Sequence, residues 1–385
     1  MNYTNLRVFV PEGGKQSLAT IRGLKELGCH VTVACRSKLD PSYSSNQPDK
    51  KLLWPDFLKD DSASLLLLEK ELSTGNYDVL MPIGEFSTSF VNRHDEILRK
   101  YVTLACAPRE VYMKVFNKQV TFDYAMHLGI PCPYTRVSDQ PVDEFIEHAN
   151  FPVIIKPRQG VGSIGFHKFN TKEELQEKLR DPSFKIDDYV LQEFVEFEHR
   201  IGALTFMDAK GNVCTNYATD VLRWFPLDAG SAILIKATNA PEILAQNNRL
   251  LKALQWQGYS AACYMIEKGT GMPKLLEING RIPATVKLAY LLGYNIAQQM
   301  LELAYGEDVT KYPQNKNFEM YVRHFDTELA WFLKSPDRFR ANPSWFSWKN
   351  SWDVLYSSDD RIPFFTNLLQ NILQYKKKMR MRNHQ

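Results

Sequence analysis

No stretch of the 385-residue chain approaches the ~20 apolar residues a membrane-spanning helix needs, and the longest aliphatic run is Leu65 to Leu68. The segment Met1-Asn2-Tyr3-Thr4-Asn5-Leu6-Arg7 has no basic region followed by an apolar core, so no secretory leader is expected. Charge of one sign is in short supply as well. Basic side chains number 47 against 44 acidic ones, a net of +3, which gives no global case for nucleic-acid binding. The six cysteines (Cys29, Cys35, Cys106, Cys132, Cys214, Cys263) are scattered, with no Cys-x-x-Cys and no Cys/His cluster. Reduced thiols, a cytoplasmic location and no zinc site are the expectation. No internal repeat is found. The remaining composition is ordinary, 44% hydrophobic and 24% charged, which excludes wholesale disorder. One core rarely grows past ~250–300 residues, so this length predicts two or three domains.

Residues 6–10, 31–34, 78–83 and 102–105 read as strands, with a helix from Ser17 to Leu27 stopped by Gly28. Strands alternating with helices predict a small parallel α/β domain over the first 110 or so residues. A helical pattern runs from Glu110 to Leu128 and closes at Gly129; an extended Ile130-Pro131-Cys132-Pro133 linker follows. A second, α+β region then carries strands at 153–155 and 189–195 and a hairpin around Gly211-Asn212. It continues with a helix over 240–257, a strand pair at 261–266 and 274–278, and a helix over 284–303. The last 65 or so residues hold Trp331, Trp345, Trp348 and Trp352, and then a segment with Phe365, Leu368, Leu369, Ile372 and Leu373 at helical spacing.

Three segments can carry chemistry. In the first, Lys156 ends a strand and is followed by Gly160-x-Gly162-x-x-Gly165, with Ser163 inside the loop. A dinucleotide fingerprint requires a helix next. Here Phe166-His167-Lys168-Phe169 alternates like a strand. Strand, glycine loop and strand make a flap that can offer backbone N–H groups to a triphosphate, with the Lys156 ammonium beside it. The competing reading is a bare hairpin with a surface lysine. In the second segment, Leu275-Leu276-Glu277-Ile278-Asn279-Gly280-Arg281, Glu277 and Asn279 share one strand face and can share a hard cation. Arg281 continues the line and can meet a phosphate oxygen bidentately. The competing reading is a solvent-facing strand side. In the third segment, Gln192-Glu193-Phe194-Val195-Glu196-Phe197-Glu198 is a strand running into an acidic turn; its backbone can pair with an adenine edge and a carboxylate can accept ribose hydroxyls.

In order and approximate spacing these segments resemble the ATP-grasp superfamily from about Tyr112 to Glu307, nearest to its carbamoyl-phosphate-synthase-like group. The tail with Ser357-Ser358-Asp359-Asp360 and Pro363-Phe364-Phe365 is similar to tails of ATP-grasp proteins associated with surface-polysaccharide synthesis. The resemblance implies an α/β and α+β chain. A Rossmann-like pre-ATP-grasp domain spans 1–111, a two-lobed ATP-grasp domain 112–318 and a Trp-rich extension 319–385. It implies that Lys118 and Lys156 bind nucleotide, that Gly160 to Gly165 form the flap, and that Glu193, Phe194 and Val195 form the adenine hinge. Glu198 would hold the ribose and Arg223 the terminal phosphate or acyl-phosphate; Glu277, Asn279 and Arg281 match the Glu-x-Asn-x-Arg metal and phosphate motif. The chain departs from the family at Gly280, where proline is usual, and at the third metal ligand, where Tyr264 stands and Glu267 is the substitute.

The implied activity is an ATP-dependent carboxylate–amine ligase using Mg2+ or Mn2+. Its partners would be small-molecule carboxylates and amines, amino-acid or sugar-linked, in a homodimeric, nucleic-acid-free protein. A non-catalytic ATP sensor is the alternative that Tyr264 motivates. A kinase is disfavoured, because Lys156 precedes its glycine loop and no His-Arg-Asp or Asp-Phe-Gly occurs. The segment from Phe365 onward, with Lys376, Lys377, Lys378, Arg380 and Arg382, is read as a helix packing its apolar stripe into the core, its cations suiting the C-terminal dipole. Contact with an anionic membrane surface is the competing reading. The four tail tryptophans are read as packing the tail onto the body.

Overall fold

The computed structural model describes residues 2–55, 60–160, 165–227 and 230–382, with 374–382 as backbone only. The chain begins with a five-stranded parallel sheet in the spatial order Lys50–Leu53, His30–Cys35, Arg7–Val10, Val79–Leu80, Thr103–Leu104. Val8, Phe9 and Val10 of its central strand are fully buried, as an apolar run flanked by helices on both faces must be. The chain leaves Arg7–Val10 toward one side and later returns to the other, so the order reverses between the first strand and Val79–Leu80. The edge strand Lys50–Leu53 was not legible: Lys-Lys-Leu-Leu does not alternate, and its lysines suit a sheet edge.

Two further sheets follow, antiparallel except where Tyr321–Arg323 and Ser351–Asp353 pair in parallel. The small one runs His167–Phe169, Val153–Pro157, Tyr189–Glu193, and helices Val142–His148 and Lys172–Leu179 cover it through Phe145, Ile155, Leu175 and Leu191. The predicted strand–glycine loop–strand is therefore present, pairing Ile155 with His167. The large, seven-stranded sheet runs Pro273–Asn279, Gly258–Glu267, Phe197–Met207, Val213–Phe225, Ser231–Thr238, Tyr321–Arg323, Ser351–Asp353. Alternate side chains divide its faces. Ile201, Ala203, Ala218, Tyr264 and Leu275 pack with helices Arg109–Phe116, Lys118–His127 and Pro241–Ala253. Leu204, Phe206, Tyr217, Ile235 and Tyr259 join a core shared with helix Ile296–Ala304 and the first sheet.

Two long helices read from periodicity are broken. The 110–128 pattern is two helices, Arg109–Phe116 and Lys118–His127, because Asn117 leaves helical geometry and caps the second by accepting from Gln119 N. The 284–303 pattern divides into Ala284–Val286, Lys287–Leu291 and Ile296–Ala304, with Gly293 at φ 88° in the break.

The region after 318 is built onto the large sheet as well as beside it, since Tyr321–Arg323 and Ser351–Asp353 are its outer strands. A buried charge network fixes the junction. Glu328 Oε1 accepts from Arg223 Nη1 at 2.5 Å; Arg323 Nε lies 2.5 Å from Oε2 without hydrogen-bond alignment. Trp331 lies under the Arg223 guanidinium and is itself buried. The other tail tryptophans pack less completely; Trp348 stays 45% exposed.

Helix Ile362–Arg382 corrects the expected core packing. Ile362, Phe365, Leu369, Ile372 and Leu373 are 49–65% exposed, so the apolar stripe faces outward. Glu328→Ala leaves two buried guanidinium groups with no carboxylate. It is expected to lower the unfolding free energy by about 3–5 kcal/mol in a urea titration followed by circular dichroism.

Candidate functional site

Lys156 ends the central strand of the small sheet and reaches across to the large one. Its Nζ donates to Gln192 Oε1 at 3.2 Å and to the Leu276 carbonyl at 3.1 Å. It sits 4.4 Å from the centre of the Phe122 ring. The Leu276 carbonyl is free to accept because the ladder skips that residue: Cys263 pairs with Glu277 and Tyr264 with Leu275, a β-bulge. Burial pulls the Lys156 ammonium down to about 8; Glu277 resists the fall and the like charge of Lys118 adds to it. These three charges therefore share one cleft between the sheets.

Lys118 opens its helix just past the Asn117 break. Its N–H donates to Arg158 O at 2.8 Å and its Nζ to Gly160 O at 2.8 Å, tying the helix to the start of the glycine loop. Gly160 and Gly165 have φ of 138° and 78°, and a Cβ at Gly165 would stand 2.8 Å from Pro157 Cγ. Only glycine suits both demands there. Gly162 and Ser163 lie outside the described residues. Asn279 Nδ2 donates to Glu277 Oε1 at 3.1 Å, which confirms that the two share a face.

The structure thus brings together Lys118, Lys156, Gly160, Glu277 and Asn279. Arg281 follows along the same strand end, 3.3 Å from Glu85 of the first domain, whose other oxygen accepts from Tyr112 Oη at 3.0 Å. Glu193, Phe194 and Val195 border the small sheet: Glu193 Oε1 accepts from Asn150 N at 2.6 Å, Lys168 Nζ lies 3.6 Å over the Phe194 ring, and Val195 is buried. Glu198 is exposed at the start of Phe197–Met207. Arg223 stands apart, 3% exposed and enclosed by Glu328 and Trp331.

The third-ligand expectation is revised. Tyr264 points into the core and is 0% exposed, its hydroxyl without a partner; Glu267 is 2.5 Å from Lys274. The residue opposite Glu277 is Cys263, whose thiol burial pushes up to about 12, Arg200 opposing and Glu277 adding to the rise. A protonated thiol is a poor ligand for a hard cation. No group of three or more His, Cys, Asp or Glu that could hold a metal occurs among the described residues. Glu277 and Asn279 alone still suit Mg2+, which commonly takes one or two carboxylates and completes its shell from water and phosphate.

Arg200 was missed. It pairs with Met265 two positions along from the Cys263–Glu277 pair, so it lies on the face of Glu277. Its Nη2 donates to Gly230 O at 2.9 Å, while its buried Nε has no partner. The signal was its spacing from Glu198 on a strand, Phe197-Glu198-His199-Arg200.

A sequence model of the family described as the ATP-grasp domain matches residues 115–285. Over those residues the chain matches the ATP-grasp domain. Solved structures agree in fold. The biotin carboxylase domain of Hydrogenobacter thermophilus 2-oxoglutarate carboxylase, a dimer in complex with MgADP, ADP and bicarbonate, is 17% identical with a TM-score of 0.66, over 82% of this chain and 73% of that one. L-amino acid ligase from Bacillus licheniformis is 18% identical with a TM-score of 0.61, over 80% and 75%. N5-carboxyaminoimidazole ribonucleotide synthetase from Thermotoga maritima is 16% identical with a TM-score of 0.56, over 80% and 78%. No curated protein sequence matches the chain. In this ATP-grasp domain the cleft is framed by the capped helix that presents Lys118. Asn117→Ala removes that cap and is expected to lower the unfolding free energy by about 1 kcal/mol in denaturant melts.

Proposed function

We propose that the protein is an ATP-dependent ligase that activates a carboxylate as an acyl-phosphate and joins it to an amine. The observation that carries this reading is the Lys156 ammonium, held between the two sheets at 3.2 and 3.1 Å from its acceptors beside Lys118, Glu277 and the glycine loop. A cleft with two lysines, one carboxylate and a loop that admits backbone close to a ligand suits a polyphosphate with a divalent cation. Lys118 and Lys156 would bind phosphate oxygens, and residues 160–165 would cover them. Glu193, Phe194 and Val195 would border the adenine and Glu198 the ribose. Glu277 and Asn279 would hold Mg2+ or Mn2+, which neutralises phosphate charge when bound.

In the proposed reaction a substrate carboxylate oxygen attacks the γ-phosphorus and ADP leaves. An amine nitrogen then attacks the acyl carbon, loses a proton and expels phosphate. Cations aimed at the transferring group do most of this work electrostatically. Arg281 would meet phosphate beside Asn279. Arg223 can do so only by opening its ion pair with Glu328, whereas Arg200 has an unpartnered Nε on the Glu277 face. We assign Arg200 the role expected of Arg223. Division at 111/112 and 318/319, a homodimer, a cytoplasmic location and amino-acid or sugar-linked substrates belong to the same proposal. The six cysteines are free, and no described helix is long and apolar enough to cross a membrane.

A non-catalytic nucleotide sensor is the second reading. Cys263 favours it, since it leaves the metal position with one carboxylate. Phosphate release across a matrix of carboxylates and amines separates the two: turnover above the no-acceptor rate supports the ligase, and ATP binding without turnover on any pair supports the sensor. Lys156→Ala and Glu277→Ala are each expected to cut phosphate release by about 10²–10³. The depressed Lys156 also sets a pH dependence. Below pH 8 the ammonium is charged and meets phosphate directly; above it the proton is largely gone, so nucleotide affinity falls as pH rises through 8. Calorimetry at about pH 8.5 should then show proton uptake on ADP binding, as a heat that changes with the buffer's ionisation enthalpy. Lys156→Arg should abolish that uptake.

A further inference from the structure

Helix Ile362–Arg382 is seated with its polar side inward. Thr366 Oγ1 is 2.7 Å from Ser44 Oγ, Gln370 Nε2 donates to Asp40 Oδ1 at 3.1 Å, and Asn371 Nδ2 to Asp326 Oδ2 at 2.5 Å. These bonds fix the rotation of the helix about its axis, so the outward stripe is imposed by the packing. Ile362, Phe365, Leu369, Ile372 and Leu373 recur at helical spacing on that outer side, 49–65% exposed. Isolated exposed leucines need no explanation, but an ordered stripe on a helix whose polar residues are spent on the body does.

The same helix continues through Lys376, Lys377, Lys378, Arg380 and Arg382, and no acidic residue occurs from Arg361 onward. A chain of ring contacts extends the apolar region sideways. Phe364 is 5.6 Å from Phe325, which is 5.6 Å from Trp348; Phe325 is also 6.0 Å from Trp345, which is 5.2 Å from Phe346. Trp348 and Phe346 are 45% and 62% exposed. Exposed aromatics beside an apolar stripe and a run of cations suit the boundary between acyl chains and anionic headgroups.

We propose that the outward face of helix 362–382 lies on a bilayer containing anionic phospholipid, which holds the ATP-grasp body at a membrane surface without spanning it. Charge decides between this occupant and a second copy of the chain. Two such helices paired on their stripes would bring cationic ends together when parallel, and when antiparallel would set five cations against a helix start preceded by one exposed carboxylate, Asp359. An anionic lipid surface is the occupant whose charge is opposite to that of this run.

Sedimentation of the full-length protein with vesicles tests the proposal. Phosphatidylcholine vesicles with about 30 mol% phosphatidylglycerol should bind at least about tenfold more tightly than phosphatidylcholine alone, and about 0.5 M salt should reverse the difference. Leu369→Gln combined with Ile372→Gln changes only exposed positions and should weaken binding about tenfold with the circular dichroism spectrum and urea midpoint unchanged. Neutralising Lys376, Lys377 and Lys378 with glutamine should remove the preference for phosphatidylglycerol. Equal or absent binding to the two vesicle types would overturn the proposal. So would undiminished binding by the Leu369/Ile372 variant, or light scattering showing that this variant turns a dimer into a monomer.

Discussion

Lys156 leaves the small sheet and ends on the carbonyl of Leu276, an acceptor that exists only because the outer ladder of the large sheet skips one residue. That contact of the Lys156 ammonium joins the two sheets directly, beside the ties that Lys118 makes to Arg158 and Gly160. Partial removal from water makes the ammonium's charge costly, which is why its proton is held loosely and why a polyanion entering the cleft would gain from it. Lys118 cannot relieve the cost, being of the same sign, and Glu277 relieves only part of it. The glycine loop lies against this arrangement through the Gly160 carbonyl, so a change at the loop is felt at the helix start that bears Lys118.

The bulge also decides which residues stand opposite Glu277 and Leu275. Strict alternation along Cys263-Tyr264-Met265-Ile266 leaves two choices of face, and the ladder irregularity falls between the first two residues. The extra residue is Leu276, on the partner strand, so Cys263 stands opposite Glu277 and Tyr264 opposite Leu275. No local pattern announces it, because the irregularity is a property of two strands far apart in sequence. The result places a half-buried thiol opposite the carboxylate and a tyrosine ring in the core.

Other parts were legible for equally specific reasons. The Lys156 strand and its glycine loop could be read because a Rossmann turn and a flap differ within four residues, in whether a helix or an alternating strand follows. Glu277 and Asn279 could be read because polar groups among leucines demand a purpose. The helix break at Asn117 was hidden, since apolar spacing carries on across it and only the side-chain cap interrupts the geometry. Arg223 was persuasive by its place before Ala229-Gly230-Ser231, but its partner Glu328 is more than a hundred residues away, in a segment whose sheet strands are only three residues each. Whether an amphipathic helix turns its apolar side in or out depends on what it packs against. The serine, aspartates and helix surface that receive Thr366, Gln370 and Asn371 are not encoded near them.

The strand Tyr321–Arg323 pairs with Ser231–Thr238, setting Val322 against Ile235, and is itself covered by Ser351–Asp353. Shortening the polypeptide at 318 would unpair the middle of Ser231–Thr238, where Leu234, Ile235 and Lys236 meet Tyr321–Arg323, and would strip Arg223 of Glu328 and Trp331, which enclose it. Such an edge recruits strands from neighbouring molecules. The segment after 318 therefore acts as the stopper of the sheet, and an isolated ATP-grasp fragment would be prone to insoluble self-assembly before any question of its chemistry arose.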